Sequence, residues 1–265
     1  MINENMSYIH PDAKIGENVT IGPFSYIDKN VEIDEGTWIG PNVTISDGAR
    51  IGKNCKIFTG STISAIPQDL KFNGEYSTVE IGDNTAIHEF ATINRGTKAK
   101  NKTVVGSNCL LMSYTHVAHD SIINDNCILG SYAGLAGEVE VGYHAIVSPG
   151  TLVHQFVRIG PHVMIQGGSK VVKDIPPYVL AGRDPLTYTG INSVGLRRRG
   201  FSNEAIYEIQ ECYRIIYQRN MNISDAVDFI EANLAASAER DEIVLFIRNS
   251  KRGIIRGYFD GGDKA

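Results

Sequence analysis

The most constraining feature of the sequence is an aliphatic residue that returns at every sixth position. Isoleucine occupies ten consecutive positions at this spacing, from Ile9 to Ile63. The period resumes over 81–93 and again over 105–171, so that the chain carries 25 hexads in all. An α-helix repeats about every 3.6 residues and a half-buried strand about every two, and neither gives a period of six. Three strand steps followed by a corner do give it, with one inward side chain on each flat face.

Three flat faces close into a triangular coil of 18 residues, three times the hexad. Coils of this kind stack by parallel strand pairing about 4.8 Å apart. The chain is therefore predicted to form a parallel β-helix of roughly eight coils, about 40 Å long. The spacing itself does not determine the hand of the helix. The chain resembles hexapeptide-repeat proteins, and that resemblance implies a left-handed β-helix.

Two stretches interrupt the hexads, at 64–80 and 97–103. We expect both to be loops that project from the β-helix, and loops on a rigid scaffold commonly carry binding groups. The first stretch is long and polar, and the second is short and basic. The β-helix with these loops is predicted to span residues 1–185, and a smaller helical domain is predicted over 186–265.

The hexads end near residue 174, and the Pro-rich stretch up to Gly200 is predicted to be an extended connector. Ser202 can then cap an amphipathic helix. The expected buried face of this helix consists of Ile206, Ile209, Cys212, Tyr213 and Ile216. Further helices are expected from Ser224 and over DEIVLFIRNS, before a frayed tail at GGDKA. These features predict a small α-helical C-terminal domain after an all-β domain.

Composition argues against several classes of protein. The net charge of −5 argues against a protein that coats nucleic acid. No run approaches the roughly 18–20 apolar residues of a membrane span, and the first residues lack the pattern of a secretory signal. The four cysteines form no C-x-x-C pair, which fits buried thiols in a reducing compartment. We therefore expect a cytoplasmic protein without a nucleic-acid partner.

The segment YTHVAHDS contains the strongest candidate for chemistry. Residues 18 apart should lie at the same corner of adjacent coils, which places His119 against Gly137. By the same count, Asp120 lies against Glu138. A histidine held by a carboxylate can act as a general base, and a backbone N–H of the next coil can stabilise an oxyanion. An ordinary surface histidine is the alternative, and the residues alone leave both interpretations open.

A zinc site is a further interpretation of the histidines. Some hexapeptide-repeat proteins are zinc carbonic anhydrases, which gather three histidines at a subunit boundary. His116 and His119 are three residues apart, and His144 or His154 could join them. Those enzymes place two histidines five residues apart, so the spacing here does not match. No metal and no cofactor is therefore predicted.

Two polar groups of residues suit a phosphorylated sugar. Gln68, Asp69 and Lys71 lie in the first interruption, where a carboxylate and a cation can bind a polyhydroxyl ligand. The triplet Arg197–Arg199 stands out in a chain of negative net charge, because guanidinium groups match phosphate oxygens. Plain solvation is the alternative for both groups. The sequence has no P-loop and no dinucleotide-binding glycine motif in a βαβ setting.

Five segments carry a more specific resemblance. They are PQDLK (67–71), THVAHD (115–120), LVHQF (152–156), DIPPYV (174–179) and GINSVGLRRRGFS (190–202). With the helical tail, they make nearly the whole chain resemble the UDP-N-acetylglucosamine O-acyltransferases of lipid A synthesis. The resemblance implies transfer of an R-3-hydroxyacyl chain from acyl carrier protein to the 3-hydroxyl of UDP-N-acetylglucosamine. It also implies direct attack on the thioester, and a homotrimer with active sites between subunits.

The resemblance implies roles for individual residues. His119 would be the general base, Asp120 would hold its imidazole, and the N–H of Gly137 would stabilise the oxyanion. Gly167 would set the acyl length and leave the groove open for a long chain. The implied substrate-binding residues are Gln68, Asp69, Lys71, His116 and Glu138 near the sugar, His154 and Gln155 along the groove, and Asn192, Arg198 and Arg199 at the uridine diphosphate end.

Two residues depart from the pattern of that family. Glu138 stands where the family commonly has histidine, and Val194 stands where it often has glutamate near the uracil. Both departures change the expected contacts with the acceptor. Acyl carrier protein is acidic, so a basic dock is expected at the arginine triplet or in the second interruption. The lysines of that interruption are Lys98, Lys100 and Lys102.

Other functions stay open at this point. One is N-acyl transfer to a sugar amine, although the hexads begin at Ile9 and leave no room for the N-terminal uridine-binding domain usual in such enzymes. An acceptor with a 3-amino group is a related variant. Another is acetyl transfer from acetyl-CoA, against which the long first loop and the helical tail argue. A purely structural β-helix is the non-catalytic alternative.

Overall fold

Short strands follow the hexad period along the chain, in a computed structural model that describes residues 6–219 and 221–257. In chain order they are β1 (Tyr8–Ile9), β2 (Lys14–Ile15), β3 (Thr20–Ile21), β4 (Tyr26–Ile27), β5 (Glu32–Ile33), β6 (Trp38–Ile39), β7 (Thr44–Ile45), β8 (Ala49–Ile51), β9 (Lys56–Ile57), β10 (Thr62–Ala65), β11 (Thr78–Ile81), β12 (Ala86–Ile87), β13 (Thr92–Asn94), β14 (Lys102–Val105), β15 (Leu110–Leu111), β16 (His116–Val117), β17 (Ile122–Ile123), β18 (Ile128–Leu129), β19 (Gly134–Leu135), β20 (Glu140–Val141), β21 (Ile146–Val147), β22 (Leu152–Val153), β23 (Arg158–Ile159), β24 (Met164–Ile165) and β25 (Lys170–Val171). Each of them contains one hexad aliphatic.

These strands form three parallel sheets, one on each face of a triangular coil. Sheet A contains β1 and every third strand up to β25, sheet B runs from β2 to β23 in the same way, and sheet C runs from β3 to β24. The register pairs His116 with Gly134, a separation of 18 residues. Stacking of 18-residue coils by parallel pairing confirms the parallel β-helix predicted from the hexads.

The core of the β-helix is the stack of inward hexad residues. Ile39, Ile87 and Leu129, from different coils of sheet C, have no exposed surface. Ile9 and Ile15 are 43% and 37% exposed, because they lie in the first coil and are covered on one side only. Each coil is thus stabilised by its two neighbours, as in other repeat proteins.

Both interruptions of the hexads connect longer strands. The first connection covers residues 66–77, because β10 and β11 extend into the stretch expected to be a loop. The second connection covers residues 95–101, between β13 and β14. We call them the first loop and the second loop.

The Pro-rich stretch after the hexads is more structured than the sequence predicts. It contains an antiparallel hairpin of β26 (Val179–Gly182) and β27 (Thr187–Ile191), which extends sheet C, and a short helix α1 (Ser193–Arg198). The prediction of an extended connector was wrong for these segments, because the strands pair with each other and β26 also pairs with β24. The hairpin crosses the predicted domain boundary after residue 185, which stays a prediction.

Three longer helices follow, α2 (Asn203–Gln218), α3 (Ile223–Asn233) and α4 (Ala238–Arg248). Ser202 caps α2 as expected, since its side chain accepts a hydrogen bond from the N–H of Ala205. The second predicted helix, α3, begins two residues before the start that a Ser224 cap predicts, because Asn222 caps it instead. The expected frayed tail GGDKA lies outside the described residues. Within the described ranges, no helix has the length and apolar character needed to cross a membrane.

The helical domain packs on the last coils of the β-helix. Tyr143 donates a hydrogen bond to Glu242 of α4 at 3.0 Å, and Tyr178 donates to the same carboxylate. The guanidinium of Arg158 lies 4.7 Å from the centre of the Phe246 ring. These contacts fix the position of α4 against sheet B and the corner that follows it.

A buried histidine at this end of the β-helix makes stability depend on pH. His162 is 4% exposed and stacks between His144 and Tyr178, with ring centroids 5.0 and 5.6 Å away. Its Nδ1 has no hydrogen-bond partner among the described residues. Burial, assisted by the charge of Arg199, lowers the pKa of His162 to about 4. The folded protein therefore resists protonating a group that the unfolded chain protonates near pH 6.5.

We expect the thermal midpoint to fall as the pH is lowered from about 6.5 towards 4. The stability that His162 contributes is present above its unfolded pKa and is lost through this window, because only the unfolded state then gains the proton. His162→Asn keeps a residue type that tolerates the positive φ of 58° at this corner. Differential scanning calorimetry should give a shallower decline for the variant. Equal slopes for both proteins would contradict this assignment.

Candidate functional site

His119 lies at the corner where sheet A passes into sheet B, directly after β16. Its Nδ1 is 2.8 Å from Oδ2 of Asp120, so Nδ1–H donates to the carboxylate. Its Nε2 is 3.8 Å from Oδ2 of Asp69, which is beyond hydrogen-bond distance. The side chain is 11% exposed. This arrangement leaves the lone pair of Nε2 available to a substrate proton.

The carboxylate of Asp120 is completely buried and surrounded by donors. The N–H of Thr97 donates to both oxygens at 3.0 and 3.1 Å, and the Thr97 hydroxyl donates to Oδ2 at 2.6 Å. The N–H of Lys100 donates to Oδ1 at 3.0 Å. All three donors belong to the second loop, which therefore holds Asp120 in place.

Gly137 lies directly against the imidazole, as the 18-residue stacking predicts. A Cβ at this position would be 2.6 Å from both Cε1 and Nε2 of His119, so only glycine leaves room for the ring. Its carbonyl accepts from the N–H of Phe156, whereas its own N–H donates to no acceptor within the described residues. That N–H is consequently available beside the reactive nitrogen. The next residue, Glu138, is half-buried, and its N–H donates to the His119 carbonyl at 3.0 Å.

The first loop brings Asp69 to the same place. The side chain of Asp69 is held by the N–H of Lys71, which donates to its Oδ1 at 3.0 Å. Gln68 and Lys71 are themselves exposed. A carboxylate thus faces Nε2 from across the corner, with two further polar side chains on the same loop.

His116 lies on sheet A, one strand step before the corner. Its Nδ1 is 2.7 Å from the hydroxyl of Thr92, and burial lowers its pKa. It is therefore a neutral hydrogen-bonding group near pH 7. Gly134 is its neighbour in the next coil, and a Cβ there would lie 3.1 Å from the side chain of Leu152. Further along the same sheet, His154 is exposed and its Nδ1 is 3.1 Å from the carbonyl of the half-buried Gln155.

The residues expected at the uridine diphosphate end lie elsewhere. Asn192 is buried, where it caps α1 and donates to the carbonyl of His162 at 2.9 Å. Arg199 is half-buried and donates to the carbonyl of His144 at 3.0 Å, whereas Arg198 is exposed. These residues belong to the far end of the β-helix, near the corner between sheets B and C.

Gly167 lies at the third corner, where sheet C passes into sheet A. One chain therefore gathers the candidate base, its carboxylate, the glycine N–H and the residues expected near the sugar at one corner. It does not bring Gly167, Asn192 or Arg198 to that corner.

Sequence reasoning missed Thr97 and the second-loop N–H donors. The only signal was the break in the period, which was interpreted as a basic loop. Two lysines of the predicted basic stretch form ion pairs, Lys100 of the second loop with Glu140 at 3.2 Å and Lys102 of β14 with Glu80 at 2.9 Å. In the part of the chain that the structure describes, no group of three or more histidine, cysteine or acidic side chains is arranged to hold a metal ion.

Both the helical part and the β-helix of this chain match known protein families. Residues 174–255 match the family described as UDP N-acetylglucosamine O-acyltransferase, domain 2. Residues 30–65 and 102–137 match the bacterial transferase hexapeptide family, described as six repeats. The acyl-[acyl-carrier-protein]--UDP-N-acetylglucosamine O-acyltransferase of Chlorobium phaeobacteroides is 61% identical over 246 residues, 92% of this chain and 93% of that protein.

Solved structures agree with this comparison. The UDP-N-acetylglucosamine acyltransferase from Bacteroides fragilis aligns with a TM-score of 0.94 at 57% identity, covering 97% of this chain and 100% of that chain. The enzyme from Francisella novicida aligns with a TM-score of 0.93 at 39% identity, covering 95% and 93%. These matches confirm the left-handed β-helix with a helical C-terminal domain. The chain belongs to the UDP-N-acetylglucosamine O-acyltransferase family.

Proposed function

We propose that this protein transfers an R-3-hydroxyacyl chain from acyl carrier protein to the 3-hydroxyl of UDP-N-acetylglucosamine, the first step of lipid A synthesis. The observation that carries the proposal is the corner formed by His119, Asp120 and Gly137. There an oriented imidazole lies beside a backbone N–H that has no acceptor within the described residues. The names of the relatives supply the substrate classes.

The chemistry follows from the two nitrogens of His119. Nδ1–H is held by Asp120, so Nε2 removes the proton from the sugar hydroxyl as its oxygen attacks the thioester carbonyl. The carbonyl oxygen becomes an oxyanion, which the N–H of Gly137 stabilises. The C–S bond then breaks, and the imidazolium returns the proton to the departing thiolate. Attack is direct, and no acyl-enzyme forms.

The acceptor binds across the same corner. Asp69 and His116 contact the glucosamine, with Gln68 and Lys71 contributing from the first loop. His154 and Gln155 line the groove along sheet A. Glu138 takes the place that histidine has in many members of the family, so its carboxylate contributes to acceptor contacts as well.

A second copy of the chain completes the site. The residues for the uridine diphosphate end and for acyl length, Asn192, Arg198, Arg199 and Gly167, lie at the two other corners of this chain. In a homotrimer, a neighbouring subunit brings those corners to His119. Leu70 of the first loop and Leu152 of sheet A are exposed beside this groove, which suits coverage by a neighbour.

The outer surfaces of the three sheets support such an assembly. Six of the eight outward residues in the register of sheet B are charged, Lys14, Glu32, Arg50, Glu80, Glu140 and Arg158, and the other two are Val104 and Ile122. Sheet C carries an apolar row of Leu110, Ile128, Ile146 and Met164. The corner between sheets C and A carries an exposed stack of Phe90, Tyr114 and Tyr132. Sheets A and C are therefore the faces that suit contact between subunits.

The acidic donor protein requires a basic surface on this acidic chain. Arg197 and Arg198 are exposed and suit that contact. In the second loop Lys98 is exposed and Lys100 is ion-paired, and Lys102 at the start of β14 is ion-paired as well. The buried free cysteines fit a reducing compartment, and we propose a cytoplasmic location.

The test is acyl transfer by the purified protein from a panel of 3-hydroxyacyl carrier proteins of different chain length. UDP-N-acetylglucosamine is the acceptor, and mass spectrometry of the product gives the position of the acyl group. We expect a 3-O-acyl product, with the panel revealing the preferred length. A product formed only with the 3-amino sugar nucleotide, or only from acetyl-CoA, would contradict the proposal.

A further inference from the structure

The second loop makes a compact turn over the buried carboxylate of Asp120. The N–H of Asn101 donates to the carbonyl of Thr97 at 2.7 Å, and the N–H of Ala99 donates to the Thr97 hydroxyl oxygen at 3.2 Å. The turn is tight, since a Cβ on Gly96 would be 2.2 Å from the backbone nitrogen of Lys102. This turn directs the N–H groups of Thr97 and Lys100 towards one point.

That point is the buried carboxylate of Asp120. Asp120 has no exposed surface, and within the described residues its single ionic contact is His119. A buried carboxylate is stable only if donors occupy its oxygens. The second loop supplies three of these donors, and the hydroxyl of Thr97 is the closest of them at 2.6 Å.

The hydroxyl of Thr97 acts on the oxygen that matters for His119. Oδ2 of Asp120 accepts from the Thr97 hydroxyl and is also the oxygen 2.8 Å from Nδ1 of His119. The N–H of Thr97 reaches both oxygens and the N–H of Lys100 reaches Oδ1, whereas the hydroxyl donates only to Oδ2, the oxygen presented to the imidazole. Thr97 is itself 7% exposed and so has little freedom to move.

We propose that Thr97 is a positioning residue for the general base, because its hydroxyl fixes Asp120 and thereby the tautomer and orientation of the His119 imidazole. This inference deepens the proposed function and rests on it for the identity of the base. The interruption of the hexads at the second loop thus serves the chemistry directly. The hydroxyl of Thr97 and the N–H groups of Thr97 and Lys100 together hold the Asp120 carboxylate, and we call this group the clamp.

The other side of the clamp is tied to the first loop. Oε1 of Glu75 accepts from the N–H of Lys98 at 2.9 Å, and Oε2 accepts from the N–H of Asn73 at 2.8 Å. The loop that carries Asp69 and the loop that carries Thr97 therefore share one carboxylate. This link gives the clamp a fixed position relative to the acceptor-binding side of the corner.

Thr97→Val removes the hydroxyl and keeps the backbone donors, and Thr97→Ser restores the hydroxyl. We expect kcat to fall about 10- to 100-fold in the valine variant, the range for a hydrogen bond to a charged group. KM for the sugar nucleotide should change little, and the acid limb of the kcat/KM profile should shift in pH. Serine should recover most of the activity and the wild-type profile.

The matched control is Thr85→Val. Thr85 is 1% exposed, and its hydroxyl donates to the carbonyl of Gly106 at 2.7 Å, inside the same β-helix but away from His119. It should lose stability without loss of kcat. Wild-type kcat in Thr97→Val, or an equal loss of kcat in Thr85→Val, would overturn the proposal. Thr97→Ala removes the same hydroxyl and replaces the valine variant if that protein does not fold.

Nuclear magnetic resonance of 15N-histidine-labelled protein tests the clamp without substrate. Ring-nitrogen shifts should show a single Nδ1–H tautomer for His119 in the wild type and a mixture in Thr97→Val. An unchanged single tautomer in the variant would overturn the proposal even if transfer activity were found. If the wild type transfers no acyl group, the proposed function is contradicted. If Thr97→Val still shows the mixture of tautomers in that case, the clamp is supported.

Discussion

His119→Ala should lower kcat/KM for acyl transfer by about 10²- to 10⁴-fold, the usual contribution of a general base. Nε2 of the His119 imidazole has no hydrogen-bond partner among the described residues and lies beside Gly137, whose N–H is also without an acceptor there. Without it, the sugar hydroxyl must attack while it keeps its proton. Steady-state rates with one acyl carrier protein donor and varied UDP-N-acetylglucosamine measure the effect.

The matched control is His88→Ala. His88 lies on sheet C in another coil, where it stacks on Phe58 with centroids 4.4 Å apart. Its loss should leave turnover near the wild-type value and should change the thermal midpoint about as much as the His119 substitution does. A His119→Ala protein with wild-type turnover, or a similar loss of turnover in both variants, would refute the assignment of the base.

The architecture could be predicted from the sequence because each hexad forms its own strand from a few neighbouring residues. One aliphatic side chain per face determines the strand, and stacking of equal coils determines which residues become neighbours. Because each coil has 18 residues, the sequence alone predicts that His119 lies against Gly137, and the structure shows this contact. Where the period holds, the positions of the candidate residues follow from counting.

The parts that could not be predicted lie where the period fails. Thr97 contacts Asp120 across 23 residues, through a turn whose shape depends on tertiary contacts. The hairpin after the hexads forms because strand pairing overrides the Pro-rich composition. Asn222 caps α3 although Ser224 is an acceptable cap, and such choices are decided by packing at the helix start. The proposed contribution of a second subunit likewise cannot be predicted by counting along one chain.

The second large effect is expected from Gly137→Ala. The backbone of Gly137 does not adopt a positive φ, so alanine is acceptable to the main chain. The added methyl would nevertheless lie 2.6 Å from Cε1 and Nε2 of His119, inside van der Waals contact. Because Asp120 holds the ring from the other side, the imidazole must tilt away from the reacting atoms. A displacement of about 1 Å is enough to lower kcat roughly 100-fold.

A double-substitution cycle separates this steric effect from general damage to the β-helix. In a protein that already lacks the imidazole, His119→Ala, the new methyl of Gly137→Ala meets empty space. The glycine substitution should then cost almost nothing further in turnover, and the thermal midpoint of the double variant should exceed that of Gly137→Ala alone. Independent, multiplicative losses would mean that Gly137 acts apart from the ring. The N–H of Gly137 survives both substitutions, so any residual transfer in the double variant reports what the oxyanion donor achieves without the base.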